Sequence, residues 1–475
     1  MHGQATEERL AGRVHDDGRL DLMWSLDKPH GNWAIRTLGY GLRKTLRRCT
    51  TAVTFDRPSF RRAAASMPDD ALFILAPSHR SYFDFLLSSY LCFQHPELEI
   101  PVPHIAAAEE FSRIPLVGRL LQRSQAFYVR RGVGKEVHEV SDALRRLVAR
   151  EASVMFFIEG QRSRSRQALV PRRGLLRALQ ATGRKFVVLP IAISYDRVPE
   201  ESSFERELSG GRRSRMSLTA ILRWLSQMAR DEVQLGRIHL ACGEPLPLDT
   251  SSDVRGLAKS IVSEQLRHTA ATSFHLRTFL ENAALPGVDE AWLADAIRRR
   301  GGRVLDSDLA VPTVSSPAFQ QSLRNQWMHW FHDDARALLP HSLVVRDHTT
   351  RHGWYSRATP PEDVADPRVK QVVSALFGPI ALDYALVAQR LGTPGRSLDY
   401  AGPQALVGAY PSAHLPTITD AYLALADRGI LRDGYEAGRY TWGPSPEELE
   451  TFRAQTCADA WALTGIPAEA PRVMA

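Results

Sequence analysis

Long apolar runs are missing from this sequence, and cysteine is scarce and scattered. Four cysteines occur in 475 residues, Cys49, Cys92, Cys242 and Cys457, far apart and without a C-x-x-C pair. That argues against a disulfide framework or a cysteine-based zinc site and for a reducing compartment. No stretch approaches the ~20 apolar residues that cross a bilayer, the longest being Phe186 to Tyr195 and Phe83 to Phe93, so any membrane contact is expected to be peripheral. The first residues, Met1 to Glu8, have neither the basic start nor the apolar run of a secretory signal. Internal repeats and low-complexity tracts are absent. So are a Gly-x-Ser-x-Gly elbow and a Cys paired with a nearby His.

What is present is an ordinary globular composition, 44% hydrophobic and 24% charged, with length enough for two or three domains. Lys and Arg number 60 against 53 Asp and Glu, a net charge of +7. Such a modest excess suits phosphate esters, a coenzyme tail or an anionic membrane surface, and is weak support for nucleic acid. The expected division is a polar tail with a basic amphipathic helix over residues 1–60, an α/β domain over 61–280, and a mainly helical region over 281–475. In the first part, Trp33 to Arg48 alternates apolar and basic residues at helical spacing, which fits either a membrane-surface helix or a solvated face packed on its own domain.

The chemistry centres on Leu75 to Asp84. Ala71 to Ala76 reads as a short buried strand stopped by Pro77-Ser78, with an amphipathic segment from Phe83 to Phe93 behind it. Residues five apart on a helix are separated by roughly 140°, so His79 must precede the helix while Asp84 folds back from its first turns. A carboxylate so placed can accept one imidazole N–H and leave the other nitrogen free as a general base. The plainer alternative is a helix start, with Ser78 or Ser81 as N-cap and Asp84 near the positive end of the dipole.

Three further strand ends follow. Ile105 to Gly118 reads as helix and turn, leading to a strand, Ala126 to Arg131, that ends in Arg130 and Arg131, a guanidinium pair suited to phosphate. After a helix from Val137 to Ala149, the strand Val154 to Ile158 ends in Glu159-Gly160. Arg162, Arg164 and Arg166 then alternate with Ser163 and Ser165, and all of these side chains can donate to an oxyanion. The strand Phe186 to Tyr195 ends in Ser194, Tyr195, Asp196 and Arg197. Ser217 to Ala229 reads as an amphipathic helix that packs on the sheet or lines an acyl groove. Ile238 to Leu248 reads as the last strand and its exit.

This set of strand ends resembles the glycerophosphate acyltransferase superfamily, with its His-four-Asp, Phe-x-x-Arg-Arg and Phe-x-Glu-Gly-x-Arg-Ser blocks and its Pro-containing strand. Ile193 to Glu200 looks most like the glycerol-3-phosphate and dihydroxyacetone-phosphate acyltransferase branch. The likeness covers roughly residues 70–245. It implies an α/β fold with a mixed, mostly parallel sheet flanked by helices. It also implies transfer of an acyl group from acyl-CoA or acyl carrier protein to glycerol 3-phosphate, giving lysophosphatidate without a cofactor. The alternatives are dihydroxyacetone phosphate or a lysophospholipid as acceptor, or a non-catalytic lipid-binding protein of the same fold. Carried over by position, His79 is the base and Asp84 its partner. Arg130, Arg131, Arg162 and Arg164, with Glu159, Gly160 and Ser163, hold the acceptor's phosphate. Two departures stand out: Gln125 replaces a usual Gly, and Arg166-Gln167 replaces a usual Gly-Lys. The implied setting is cytoplasmic and peripheral to the membrane.

Beyond the α/β segment, helical periodicity runs from Val254 to about Arg300, broken at Pro286-Gly287. A linker, Pro312 to Pro317, precedes a helix from Ala318 to Phe331. His329 and His332, followed by Asp333, could share a metal, as could His348 and His352, but neither histidine pair has an evident full ligand set in a closed apolar setting; these histidines are expected to be exposed, with no metal site. A helix from Thr417 to Arg428 and a hairpin through Tyr440 to Trp442 have a winged-helix outline. Asp420 and Asp427 on that helix speak against nucleic acid.

Overall fold

The computed structural model describes residues 33–113, 117–129, 138–163, 166–208, 226, 234–307, 311–339, 362–390, 417–419, 421–422, 425, 431–434, 439–442 and 446–465. Its centre is an eight-stranded sheet built from β1 (Ala52–Phe55), β2 (Ala71–Pro77), β3 (His104–Ala108), β4 (Ala126–Val129), β5 (Val154–Met155), β6 (Lys185–Tyr195), β7 (Arg237–Cys242) and β8 (Leu246–Leu248). The order is β1-β7-β6-β2-β5-β3-β4, with β8 on β6. All neighbours are parallel except β6 with β7 and β6 with β8. This is the mixed, mostly parallel sheet that the strand ends imply, and β1 joins it ahead of residue 61.

Burial on both faces explains why β2 and β6 read as unbroken apolar runs. Successive side chains point to opposite faces. Phe73 and Leu75 therefore pack with Leu87 and Leu91 of the helix Asp84–Gln94 and with Leu42 and Leu46 of the helix Trp33–Cys49. Leu72, Ile74 and Ala76 pack with Leu176 and Leu179 of the helix Gly174–Gln180 and with Leu257 and Ile261 of the helix Val254–Arg267. Because β2 to β6 run parallel, their C-terminal ends share one edge, which is where an open α/β sheet places a site.

Several readings of the sequence need correction. The segment expected to be helical from Ile105 instead forms β3, held between β5 and β4, with a 3-10 turn at Glu109–Arg113. Pairing on both edges overrides the helix preference of its alanines. The strand expected over Val154 to Ile158 is regular only at Val154–Met155. The helical stretch after Val254 is interrupted by a strand, Ala270–Thr272, which pairs with Arg303–Leu305. Finally, among the described residues one helix, Pro367–Gln389, is long and apolar enough to cross a membrane, with 72% of its most apolar window buried within the protein.

That helix belongs to a separate C-terminal core with Trp327, Trp330 and Phe331 of the helix Pro317–Leu338 and Leu449 and Phe452 of the helix Pro446–Thr464. His329 and His332 are buried there rather than exposed, since both fall on the inward stripe beside the two tryptophans. Among the described residues no group of three or more His, Cys, Asp or Glu side chains is placed to hold a metal. Leu431–Gly434 pairs antiparallel with Arg439–Trp442. The segment Ser217 to Ala229, apart from residue 226, lies outside the described residues, as do His348 and His352, and the helix expected from Thr417 is described only in part.

The C-terminal region is latched onto the end of β6. Asp196 accepts from Arg237 N at 2.7 Å and from the hydroxyls of Thr272 and Ser307. His275 Nε2 donates to the Tyr195 carbonyl at 2.9 Å. Burial holds the His275 pKa below the usual imidazole value, so the ring stays neutral at ordinary pH.

Candidate active site

At the exit of β2, Ser78 bridges to β6: its N–H donates to Ile191 O at 2.8 Å and its Oγ accepts from Ile193 N at 3.1 Å. The chain turns through His79 to Phe83, and the helix begins at Asp84 without a serine cap. Asp84 itself closes the turn. Its Oδ2 accepts from Arg80 N at 2.6 Å, Ser81 N at 2.7 Å and His79 Nδ1 at 3.1 Å, and its Oδ1 accepts from the Tyr195 hydroxyl at 2.6 Å. The carboxylate is fully buried. An acceptor at Nδ1 fixes the proton there and leaves Nε2 as the basic nitrogen. Burial, and then the neighbouring Asp84 charge, raise the Tyr195 pKa well above its ordinary value, so the phenol remains a donor.

The imidazole plane is set from the neighbouring strand end, where the Phe157 ring stacks on His79 with centroids 3.8 Å apart and planes 8° from parallel. Glu159 lies beneath the same loop. It accepts from His79 N at 3.3 Å, Arg80 Nη1 at 3.0 Å and Leu169 N at 3.0 Å. Gly160 has φ +69°, and a Cβ there would sit 2.6 Å from the Arg172 side chain. A left-handed turn against a packed side chain leaves room only for glycine.

Arg162 is buried between two rings, its guanidinium 4.0 Å from the Phe204 centroid and 4.9 Å from that of Tyr82. Nη2 donates to Glu207 at 3.2 Å. Nε and Nη1 of Arg162 and Oγ of Ser163 are buried with no hydrogen-bond partner among the described residues. Buried donors are nearly always paired, and among the described residues these three have no acceptor. Glu200 secures the adjoining turn, accepting from Tyr82 N at 2.6 Å and Ser81 Oγ at 2.9 Å. Burial pushes its carboxyl pKa up, against the pull of Arg162.

His79, Asp84, Glu159, Gly160, Arg162 and Ser163 are thus gathered at one edge of the sheet. Arg130, Arg131 and Arg164 lie outside the described residues. Reading the sequence assigned no role to Arg80, Phe157, Tyr195 or Glu200. For Tyr195 a signal existed, since it closes a strand whose neighbours carry the site. Glu200, on a loop more than a hundred residues from its hydrogen-bond donors, gave no such signal.

Residues 45–194 match the Acyltransferase family model. Over 224 residues the chain is 34% identical to the dihydroxyacetone phosphate acyltransferase of Bos taurus, an alignment covering 45% of this chain and 32% of that protein. Over 188 residues it is 32% identical to the glycerol-3-phosphate acyltransferase of Pseudomonas aeruginosa, covering 38% of this chain and 22% of the relative. Among solved structures, the 1-acyl-sn-glycerophosphate acyltransferase PlsC from Thermotoga maritima matches with a TM-score of 0.30 and 18% identity, over 49% of this chain and 76% of that one. The alignments therefore span a third or less of the length of these curated relatives. The His79–Asp84 pair and the Glu159–Ser163 turn both lie within the residues that match the Acyltransferase family model.

Proposed function

We propose that this chain transfers a fatty acyl group from acyl-CoA or acyl carrier protein to a hydroxyl of glycerol 3-phosphate, giving lysophosphatidate. The observation that carries the reading is a base and an anion cluster on one sheet edge: His79 tied to Asp84 at 3.1 Å, and Arg162 and Ser163 with unpartnered buried donors. His79 Nε2 takes the alcohol proton as the oxygen attacks the thioester carbonyl, and Asp84 supports the imidazolium that forms. Collapse of the tetrahedral intermediate expels the thiolate, which takes the proton back from His79. A thioester brings its own leaving group, so no covalent enzyme intermediate is needed. Arg162 and Ser163 hold the acceptor's phosphate, which orients its hydroxyl toward the base. Glu159, whose carboxylate already accepts from His79 N, Arg80 Nη1 and Leu169 N, shapes the loop instead of touching phosphate.

Dihydroxyacetone phosphate is the second candidate acceptor, favoured by the likeness to the dihydroxyacetone phosphate acyltransferase of Bos taurus. Purified protein given labelled acyl-CoA and each acceptor in turn separates the two. Failure to acylate any phosphorylated glycerol-like alcohol would overturn both.

The reading includes a peripheral site of action on the cytoplasmic face of a membrane. Along the helix Trp33–Cys49, Trp33 and Tyr40 are 57% and 53% exposed, two turns apart, with Arg123 over the first ring and Lys44 over the second at 5.6 Å each. Aromatic rings flanked by cations suit the interface of an anionic bilayer. Behind them an apolar groove runs between Leu38 and Leu42 of this helix and Phe85, Leu86 and Phe93 of the helix that starts at Asp84, a path for an acyl chain. The double change Trp33→Ala, Lys44→Glu is expected to weaken sedimentation with anionic vesicles about tenfold and to leave binding to neutral vesicles less affected. Equal binding by variant and wild type would remove this face from the proposal.

A further inference from the structure

Among the described residues Arg166 is a buried cation that no carboxylate contacts in a hydrogen bond or ion pair. It is 4% exposed, makes no ion pair or side-chain hydrogen bond among the described residues, and has a buried, unpartnered Nε. Its guanidinium lies 5.5 Å from the centroid of Phe204, the ring that also carries Arg162. Burial pulls its pKa down to about 10; Glu201 and Glu200 pull the other way, and Arg80 and Arg162 add to the repulsion. The backbone there is also in an unfavourable state, with φ +58° at a residue bearing a long side chain. Left-handed residues other than glycine persist where their surroundings force them, and they gather at ligand sites. Arg166 further borders a small cavity whose other walls include Arg80, Tyr195, Thr269 and Gln326. Of these, Arg80 is already neutralised by Glu159, and Tyr195 is the donor to Asp84. Among the described residues, no hydrogen bond or ion pair accounts for this buried guanidinium.

We propose that Arg166 is a direct ligand of the acceptor's phosphate, a second guanidinium beside Arg162 on the same aromatic ring. It rests on the proposed acyl transfer and adds to it the residue that answers the phosphate's second negative charge. A phosphate monoester carries close to two charges at neutral pH, while Arg162 already shares its own with Glu207. The phosphates of a coenzyme offer the same chemistry, so the test must tell acceptor from donor.

Arg166→Gly removes the cation and suits the left-handed backbone, so the variant is expected to melt no lower than wild type. With acyl-CoA saturating, its KM for glycerol 3-phosphate should rise about 10- to 100-fold, as for loss of a charge-assisted hydrogen bond, and its KM for acyl-CoA should stay within about twofold. Arg166→Lys should recover part of the loss, keeping charge without the planar fork. Gln125→Gly relieves the same kind of backbone strain, φ +70°, at the start of β4 and should leave the acceptor KM unchanged. Calorimetric titration with inorganic phosphate reads the site without turnover, and Arg166→Gly should bind it at least tenfold more weakly than wild type. Unchanged phosphate affinity, or a change confined to the acyl-CoA KM, overturns the assignment of Arg166. Weakened phosphate binding in a protein that acylates no phosphorylated acceptor keeps Arg166 as an anion ligand and overturns the acyl-transfer reading instead. Should Arg166→Gly not fold, Arg166→Gln, which keeps length and loses charge, carries the same expectations.

Discussion

Replacing His79 with alanine is expected to lower kcat for acyl transfer by about 100- to 10⁴-fold, the range for removing a general base, with little change in the KM for either substrate. The fold should survive. The side chain's partners are the Phe157 ring and Asp84, while the loop is held by backbone N–H groups of residues 79, 80 and 81 donating to Glu159 and Asp84. Those bonds do not depend on the imidazole. Single-turnover transfer from labelled acyl-CoA measures the chemical step directly. An alanine variant within a few-fold of wild type would mean that another group takes the alcohol's proton, and the proposed mechanism would fall with it.

Much of this site could be read from the chain before any coordinates, for identifiable reasons. Five-residue spacing cannot place two side chains on one helical face, so His79 and Asp84 had to straddle a helix start, and they do. β2 and β6 announce themselves because burial on both faces demands continuous apolar sequence. β3 does not, since three alanines between two neighbouring strands carry a local preference that only pairing reverses. The helix Pro367–Arg390 does not show as an unbroken apolar run because Lys370 and Asp383 interrupt it. Glu159 looked like part of a phosphate site from its motif, yet its donors include an arginine 79 residues earlier, and residue type alone does not name a distant partner. Gln125 and Arg166 are the sharpest case. Both occupy left-handed positions, which is the physical reason a glycine is usual there in the family the chain resembles. Nothing in a glutamine or an arginine discloses a positive φ, so the conformation became visible only with the backbone in place.

Asp84→Ala is expected to lose both activity and stability, and the two can be separated. The carboxylate accepts from four donors: His79 Nδ1, Arg80 N, Ser81 N and the Tyr195 hydroxyl. With no solvent reaching Asp84, alanine strands three of them besides the histidine. At about 1–3 kcal/mol for each buried unsatisfied group, part of it recovered by relaxation, the cost is about 3–6 kcal/mol. That is beyond the usual range for a point mutation and should appear as a clear drop in the thermal midpoint. Transfer should fall at least ~100-fold, since the ring loses the group that fixes its tautomer and supports its charge. Asp84→Asn divides these effects. Its amide oxygen can still receive the loop N–H groups and His79, and its NH2 can donate to a Tyr195 oxygen turned acceptor, so the midpoint should stay near wild type. What asparagine cannot supply is negative charge facing the imidazolium, so kcat should remain low in a well-folded protein. An asparagine variant with wild-type kcat would reduce Asp84 to a loop-closing residue and leave His79 to act without electrostatic support. One with low kcat and a wild-type midpoint would place the contribution of Asp84 in the chemical step.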